Sequence, residues 1–128
     1  MKQIRSVFLA TVALSVLAMV GCSEEEVNNE ASVVFWYGQS VSDELAAEEV
    51  LELKLYVDGQ QIGTYDPGFS WSGAPNCGDN GSVTVTKQLG TSIKKDFSYR
   101  IVDDTDFEIW GGTVTFDALA CTAIELTP

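Results

Sequence analysis

LELKLYVDGQQIGTY, residues Leu51 to Tyr65, carries the period-two pattern of a half-buried strand. Leu51, Leu53, Leu55 and Val57 fall on one face, and Glu52, Lys54 and Tyr56 on the other. Asp58-Gly59 follows as a dipeptide that accepts positive φ, the requirement of a tight hairpin turn, and Gln61–Tyr65 returns as the partner strand. Working outward, the same β-branched and aromatic character marks Ser32–Tyr37 (SVVFWY), Ser82–Lys87 (SVTVTK), Phe97–Val102 (FSYRIV), Phe107–Phe116 with a break at Gly111-Gly112, and Thr122–Leu126 (TAIEL). Seven short strands with polar or glycine-rich connections predict an all-β domain over residues 32–128, a single antiparallel seven-stranded β-sandwich. Ser42–Glu49 (SDELAAEE) stands apart. It offers one or two helical turns starting from Ser42, but its acidic character and few apolar residues predict an excursion or loop.

The first 22 residues read as a targeting segment. Lys2 and Arg5 precede Val7–Val20, an apolar run interrupted only by Thr11 and Ser15 and shorter than the roughly 20 residues a membrane-spanning helix needs. The run closes on LAMVGC, which resembles the bacterial lipobox. That resemblance implies a signal peptide over residues 1–21 and a mature chain beginning at Cys22, thioether-linked to diacylglycerol; the alternative is an ordinary secretory leader with an incidental Cys22. Each buried CH₂ contributes about 0.8 kcal/mol, so a Cys22 with two or more acyl chains stays in its bilayer. Residues 22–31 carry Glu24, Glu25, Glu26 and Glu30 with nothing to make a core, and are expected to be a flexible tether. The order Cys, Ser, then acidic run also resembles the export signal that takes lipoproteins of Bacteroidota-type bacteria across the outer membrane. A lipid-anchored outer-membrane location is therefore expected, with the cell surface preferred to the periplasmic face.

Charge and composition exclude several classes of function. Without the leader the chain keeps five of its seven basic residues and all 19 acidic ones, a net charge of −14, whereas nucleic acid is bound by clustered Lys and Arg; the only adjacent pair is Lys94-Lys95. Histidine is absent from all 128 residues, which removes Ser-His-Asp and Cys-His nucleophile systems, His-ligated zinc and the usual neutral-pH base. Carboxylate-only chemistry remains open in principle, but a mature chain of about 107 residues has little room for a deep cleft, so no enzyme and no cofactor are expected. With Cys22 assigned to lipid, Cys77 and Cys121 remain as an even pair in an exported chain, where a disulfide is favoured over two buried thiols.

LYVDGQQIGTY, PNCG, SVTV followed by LGT, FSYRI, WGGTVTF and CTAIEL together resemble small lipoproteins of Bacteroidota type with a carboxypeptidase-regulatory or PEGA-like sandwich. In those patterns a strand ends in V-x-(D/N)-G and the next begins near I-G, matched here by Val57-Asp58-Gly59 and Ile62-Gly63. The resemblance implies an immunoglobulin-like or prealbumin-like architecture and no reaction, and it carries no catalytic residues.

Two stretches are candidates for function. The loop Asp66–Cys77, DPGFSWSGAPNC, displays Phe69 and Trp71, and aromatic rings on a loop of a rigid sandwich can stack on sugars or fill a partner's pocket. The plainer expectation, which is preferred, is that both rings fold back to plug one end of the sandwich while Cys77 staples the loop. Trp36 and Trp110 lie in strand patterns and are expected in the core. The second stretch, Asp103-Asp104-Thr105-Asp106-Phe107-Glu108, places oxygen ligands close together, but its spacing matches no EF-hand, and a solvated hairpin end is preferred to a cation site. The expected function is a surface-displayed binding module for a glycan or an envelope protein, attached to the membrane through Cys22. The alternative is an accessory lipoprotein acting by protein contacts alone.

Overall fold

The computed structural model describes residues 27–128; the expected signal peptide 1–21, the lipidation site Cys22 and the acidic run that follows lie outside the described residues. Seven strands, β1 (Asn29–Trp36), β2 (Leu53–Val57), β3 (Gln60–Tyr65), β4 (Val83–Gly90), β5 (Lys94–Asp103), β6 (Glu108–Asp117) and β7 (Cys121–Glu125), and one helix, α1 (Gln39–Ala47), make up the fold. The strands form two sheets, ordered β4-β1-β7 and β3-β2-β5-β6. Between them lie Val33 and Phe35 from β1, Leu53, Leu55 and Val57 from β2, Ile101 from β5 and Phe116 from β6, all essentially without solvent exposure. The hairpin read from Leu51–Tyr65 is present, and Asp58 and Gly59 both take positive φ, 53° and 76°.

Several expectations change. The sandwich is not wholly antiparallel: β1 pairs with β4 antiparallel but with β7 parallel, Ser32 opposite Cys121 through Trp36 opposite Glu125. The turn after β6 crosses from one sheet to the other and reverses the chain, so β7 leaves it running in the same direction as β1 and docks on that strand's free side. The domain starts earlier than Ser32, since Asn29 and Glu30 already pair with β4 and Ala31 is buried, which takes the last three residues from the expected tether. Leu51 is not on the buried face. It precedes β2, is 78% exposed, and its N–H donates to the Asp104 carboxylate at 3.0 Å. Finally, β6 runs unbroken through Gly111-Gly112; its irregularity lies opposite Ile101/Val102, where Ile109 is the extra residue between pairs. Gly112 takes φ 155°, a backbone conformation that side-chain-bearing residues rarely adopt, while a Cβ on Gly111 would meet only the mobile end of the exposed Glu108 side chain.

The acidic stretch Ser42–Glu49 folds as the main part of α1, beginning at Gln39 rather than Ser42. Gly38 is the N-cap without a side-chain cap bond, Gln39 donates to Asp43 one turn on at 2.9 Å, and Val41 and Leu45, four residues apart, share the buried face. Ser42 is itself buried and donates to the Pro67 carbonyl at 2.6 Å. The helix stops at Glu49, in the left-handed region at φ 59°, with Glu49 N–H bonded to Ala46 O and Val50 N–H to Leu45 O. That is the 5→2 and 6→1 pairing of a Schellman closure, with glutamate in the place glycine usually takes.

The sandwich is closed along one side by the approach of β3 to β4. A Cβ on Gly63 would sit 2.9 Å from Val83 Cγ1, and Val83 is too stiff at χ1 to swing aside. Gly63→Ala is therefore expected to destabilise the domain by about 1–3 kcal/mol in urea denaturation, and Val83→Ala in the same chain to recover part of the loss. Equal stability of the single variant and the parent would contradict the close approach.

Candidate aromatic site on the disulfide-stapled loop

The connection from β3 to β4, residues 66–82, crosses the outer face of the β4-β1-β7 sheet. Along β1, Ala31, Val33, Phe35 and Tyr37 point to the core, so Ser32, Val34 and Trp36 face outward. Cys77 forms the expected disulfide with Cys121 at the start of β7, while Gly78 N–H donates to Thr84 Oγ1 of β4 at 2.9 Å. The loop is thus tied to strands on both sides of β1, and Val34, beneath it on the outward face, has no exposed area. Pro75 in the same loop is buried as well.

The first half of this loop builds a concavity of about 240 Å³ lined by Trp36, Tyr37, Tyr65, Phe69 and Trp71, with Thr64, Asp66 and Gly81 completing it. Several contacts hold the loop and its rings in place. Trp71 N–H donates to Tyr37 O at 3.0 Å, anchoring the loop backbone to the end of β1. Phe69 and Trp71 meet edge to face, centroids 5.3 Å apart. Gly81, at φ 82°, lies under the Phe69 ring, whose Cζ would be 3.3 Å from an added Cβ. Asp66 closes the turn by accepting Gly68 N–H through Oδ1 at 2.9 Å. Phe69 nevertheless stays 47% exposed and Trp71 half-buried. The two rings thus pack on each other, on Gly81 and against the end of β1 while lining a concavity that keeps Phe69 partly exposed. Trp36 departs from the core expected for it, since its outward position on β1 puts it in this wall. Trp110 packs against the core, with its Nε1–H donated to Thr127 O at 2.7 Å.

Tyr37 and Tyr65 form the floor. Tyr37 Oη donates to Asp66 O at 2.9 Å and Tyr65 Oη to Phe35 O at 3.4 Å, so both hydroxyl protons are already committed within the domain. Burial, with the Asp66 charge adding to it, pushes the Tyr37 hydroxyl up to about 12, and burial raises Tyr65 further still. Both raised values belong to the neutral form of an acid. Their stabilising contribution is complete below about pH 10, the unfolded value, and disappears as pH climbs through the folded values. Unfolding free energy measured against pH should consequently turn downward above about pH 10, and Tyr37→Phe should soften that fall; a curve flat to pH 12 would contradict it.

The Asp103–Glu108 stretch disperses its carboxylates. Asp103 Oδ1 accepts Thr105 N–H, Thr105 Oγ1–H and Phe107 N–H at 2.7–3.0 Å, which holds its carboxyl below the usual range. Asp104 serves Leu51, and Asp106 pairs with Lys54 at 3.2 Å. Among the described residues no three acidic or sulfur ligands converge on a point that could hold a metal ion.

A second, larger concavity of about 380 Å³ went unforeseen. It lies between α1 and the last residues, lined by Val41, Leu45, Ile109 and Trp110 with Glu44 and Glu48 at its side. The i, i+4 spacing of Val41 with Leu45 and of Glu44 with Glu48 was visible in the sequence, but only as part of a stretch with too few apolar residues to be read as a helix.

No protein-family model, no curated protein and no solved structure matches this chain.

Proposed function

We propose that the chain is a lipid-anchored outer-membrane lipoprotein whose sandwich displays a non-catalytic binding site, and that the ligand is the end of a glycan seated on the Trp36, Phe69 and Trp71 rings. The observation that carries this reading is the aromatic concavity: five rings around a recess with Asp66 and Thr64 at its edge. Ring faces cover the apolar faces of a sugar, and a carboxylate and a hydroxyl supply directional hydrogen bonds. At about 240 Å³ the recess is smaller than the roughly 300–1,000 Å³ of a drug-sized pocket, which suits one sugar ring. The concavity lies at the pole opposite the one where the chain enters the domain, consistent with presentation away from an N-terminal anchor. Assignment to the Bacteroidota-type lipoproteins with a PEGA-like, immunoglobulin-like or prealbumin-like sandwich, and display on the cell surface, belong to the same proposal; the LAMVGC run and the V-D-G and I-G hairpin signals support them.

The test is a glycan array probed with the mature protein, followed by titration of Trp fluorescence. Binding that Phe69→Ala/Trp71→Ala weakens at least tenfold, with thermal stability close to the parent, supports the site. Silence across the array, together with unchanged behaviour of the double variant in cells, sinks it. The accessory-lipoprotein reading draws on the larger apolar concavity beside α1, and crosslinking in intact cells that traps one stable protein neighbour there would favour it.

A further inference from the structure

We infer that the N-terminal pole of the domain is a lipid-docking surface, in which Ile93 and Leu119 enter the headgroup layer and Lys94 and Lys95 meet lipid phosphates. This inference rests on the lipid anchor at Cys22 proposed above.

Two turns meet at this pole, and hydrogen bonds through the Asn28 and Asn29 side chains and the Glu30 carbonyl tie both to the start of the domain. Gly90 N–H donates to Asn28 Oδ1 and Asn29 Nδ2 to Ser92 O; Leu119 N–H donates to Glu30 O, and Ala118 N–H to Ile93 O, both at 2.8 Å. The tips they present are apolar and open: Ile93 is 72% exposed and Leu119 88%. Leu119 also takes φ 60°, a left-handed conformation uncommon for any residue but glycine, asparagine or aspartate and costing on the order of 1 kcal/mol or more. A leucine that is both strained and almost fully exposed contributes nothing to the core.

Charge distinguishes this pole from the other. Of the 16 carboxylates in residues 27–128, the segments 39–52, 66–82 and 103–108 together with Glu125 hold twelve, all at the far pole or beside it by the strand directions. The N-terminal pole has Glu30, Asp58, Asp96 and Asp117, set against Lys87, Lys94 and Lys95. Lys87 and Lys95 lie over the Phe97 ring at 5.2 and 5.5 Å, and Lys94 pairs with Asp117 at 3.5 Å in the open. Three of the five cations of the mature chain thus gather at this pole, whose described residues carry one net negative charge against ten on the rest of the domain, with Glu24, Glu25 and Glu26 preceding it in the tether; an anionic surface therefore repels the other orientations more strongly than this one.

The chain outside the described residues sets the distance. Five residue steps lead from Cys22 to Val27, a reach of at most about 18 Å, so an acylated Cys22 holds this pole near the headgroups. Apolar tips flanked by lysines are the pattern of interfacial binding.

The decisive measurement uses the lipidated mature protein reconstituted into phosphatidylcholine vesicles with or without phosphatidylglycerol. Ile93→Cys provides a single reactive thiol, because Cys22 is acylated and Cys77 bonded to Cys121, and it takes an environment-sensitive fluorophore; Ser72→Cys places the same probe on the far loop. Docking predicts a blue-shifted emission quenched by spin-labelled lipid at position 93, stronger with phosphatidylglycerol, and a water-like emission at position 72. Each lysine lost in Lys94→Gln and Lys95→Gln lowers the docked fraction roughly fivefold relative to the undocked. Leu119→Asn, which suits left-handed φ and so preserves the fold, also lowers it. A water-like probe at position 93 on a chain whose Cys22 is shown by mass spectrometry to be acylated overturns the docking and leaves the anchor standing. If Cys22 is unmodified the anchor reading fails, and docking is then decided by sedimentation of the unanchored chain with the same vesicles: co-sedimentation upholds it, and its absence overturns it.

Discussion

Replacing Cys77 and Cys121 together with serine is expected to lower the unfolding free energy by roughly 4 kcal/mol, the loop-closure value for a bridge across a sequence separation of 44. For a domain of about 100 residues, that corresponds to a fall in Tm of about 20 °C. It is a large part of the 5–15 kcal/mol by which folded domains are stable at all. The bond also has a local role here, since it holds the 66–82 loop over Val34. The serine variant should accordingly show early proteolytic cleavage between residues 66 and 82, together with the lowered Tm. A drop of only a few degrees, matched by no change on adding reductant to the parent, would show that the staple contributes little and that the loop is held by its backbone bonds alone.

Phe35→Ala is expected to cost about 3–5 kcal/mol, the range for removing a fully buried aromatic ring. Phe35 occupies the middle strand of one sheet and reaches Tyr99 of the other, centroids 4.9 Å apart, so its loss leaves a cavity where the two layers meet. In urea the midpoint should fall by roughly 2 M at an ordinary m-value for this size. Phe35→Leu should cost well under half as much because most of the volume remains. The contrast with Phe69→Ala is diagnostic: Phe69 is half exposed, and its removal should leave stability nearly unchanged while altering any binding at the concavity. Similar losses for the two alanine variants would mean that the site and the core are not separate structures.

The hairpin at Asp58-Gly59 and the strands around it were legible because their determinants are local. Alternation with period two, β-branched residues and a positive-φ dipeptide act over a few residues, and the chain places seven strands close to where those signals lie. Leu51 shows the limit of alternation alone: it continues the pattern of β2, yet the strand starts two residues later, and the Leu51 N–H is taken by Asp104 from a distant turn. Helix α1 shows the opposite failure. Its two apolar positions are too few to announce an amphipathic helix, and what commits the segment is tertiary: Val41 and Leu45 buried in the core, Ser42 bonded to Pro67, and a closure at Glu49 that composition does not favour.

The same division runs through the candidate site. Phe69, Trp71 and Cys77 stood out in the sequence as aromatics and a cysteine in a glycine- and proline-rich loop, and the pairing of Cys77 with Cys121 followed from an even count. Trp36, Tyr37 and Tyr65 did not stand out, because in sequence each is one more aromatic in a strand. Their meeting with Phe69 and Trp71 depends on the loop crossing the outer face of the sheet.

The sequence by itself determined the strand segments, the turn chemistry, the cysteine pair and the charge, since each is a property of neighbouring residues or of composition. Only the tertiary structure decided that β7 lies parallel to β1, that α1 is a helix, that the aromatic rings form one concavity and that apolar tips and lysines share the opposite pole. Those outcomes depend on contacts between residues tens of positions apart, which packing two sheets face to face creates and no local pattern records.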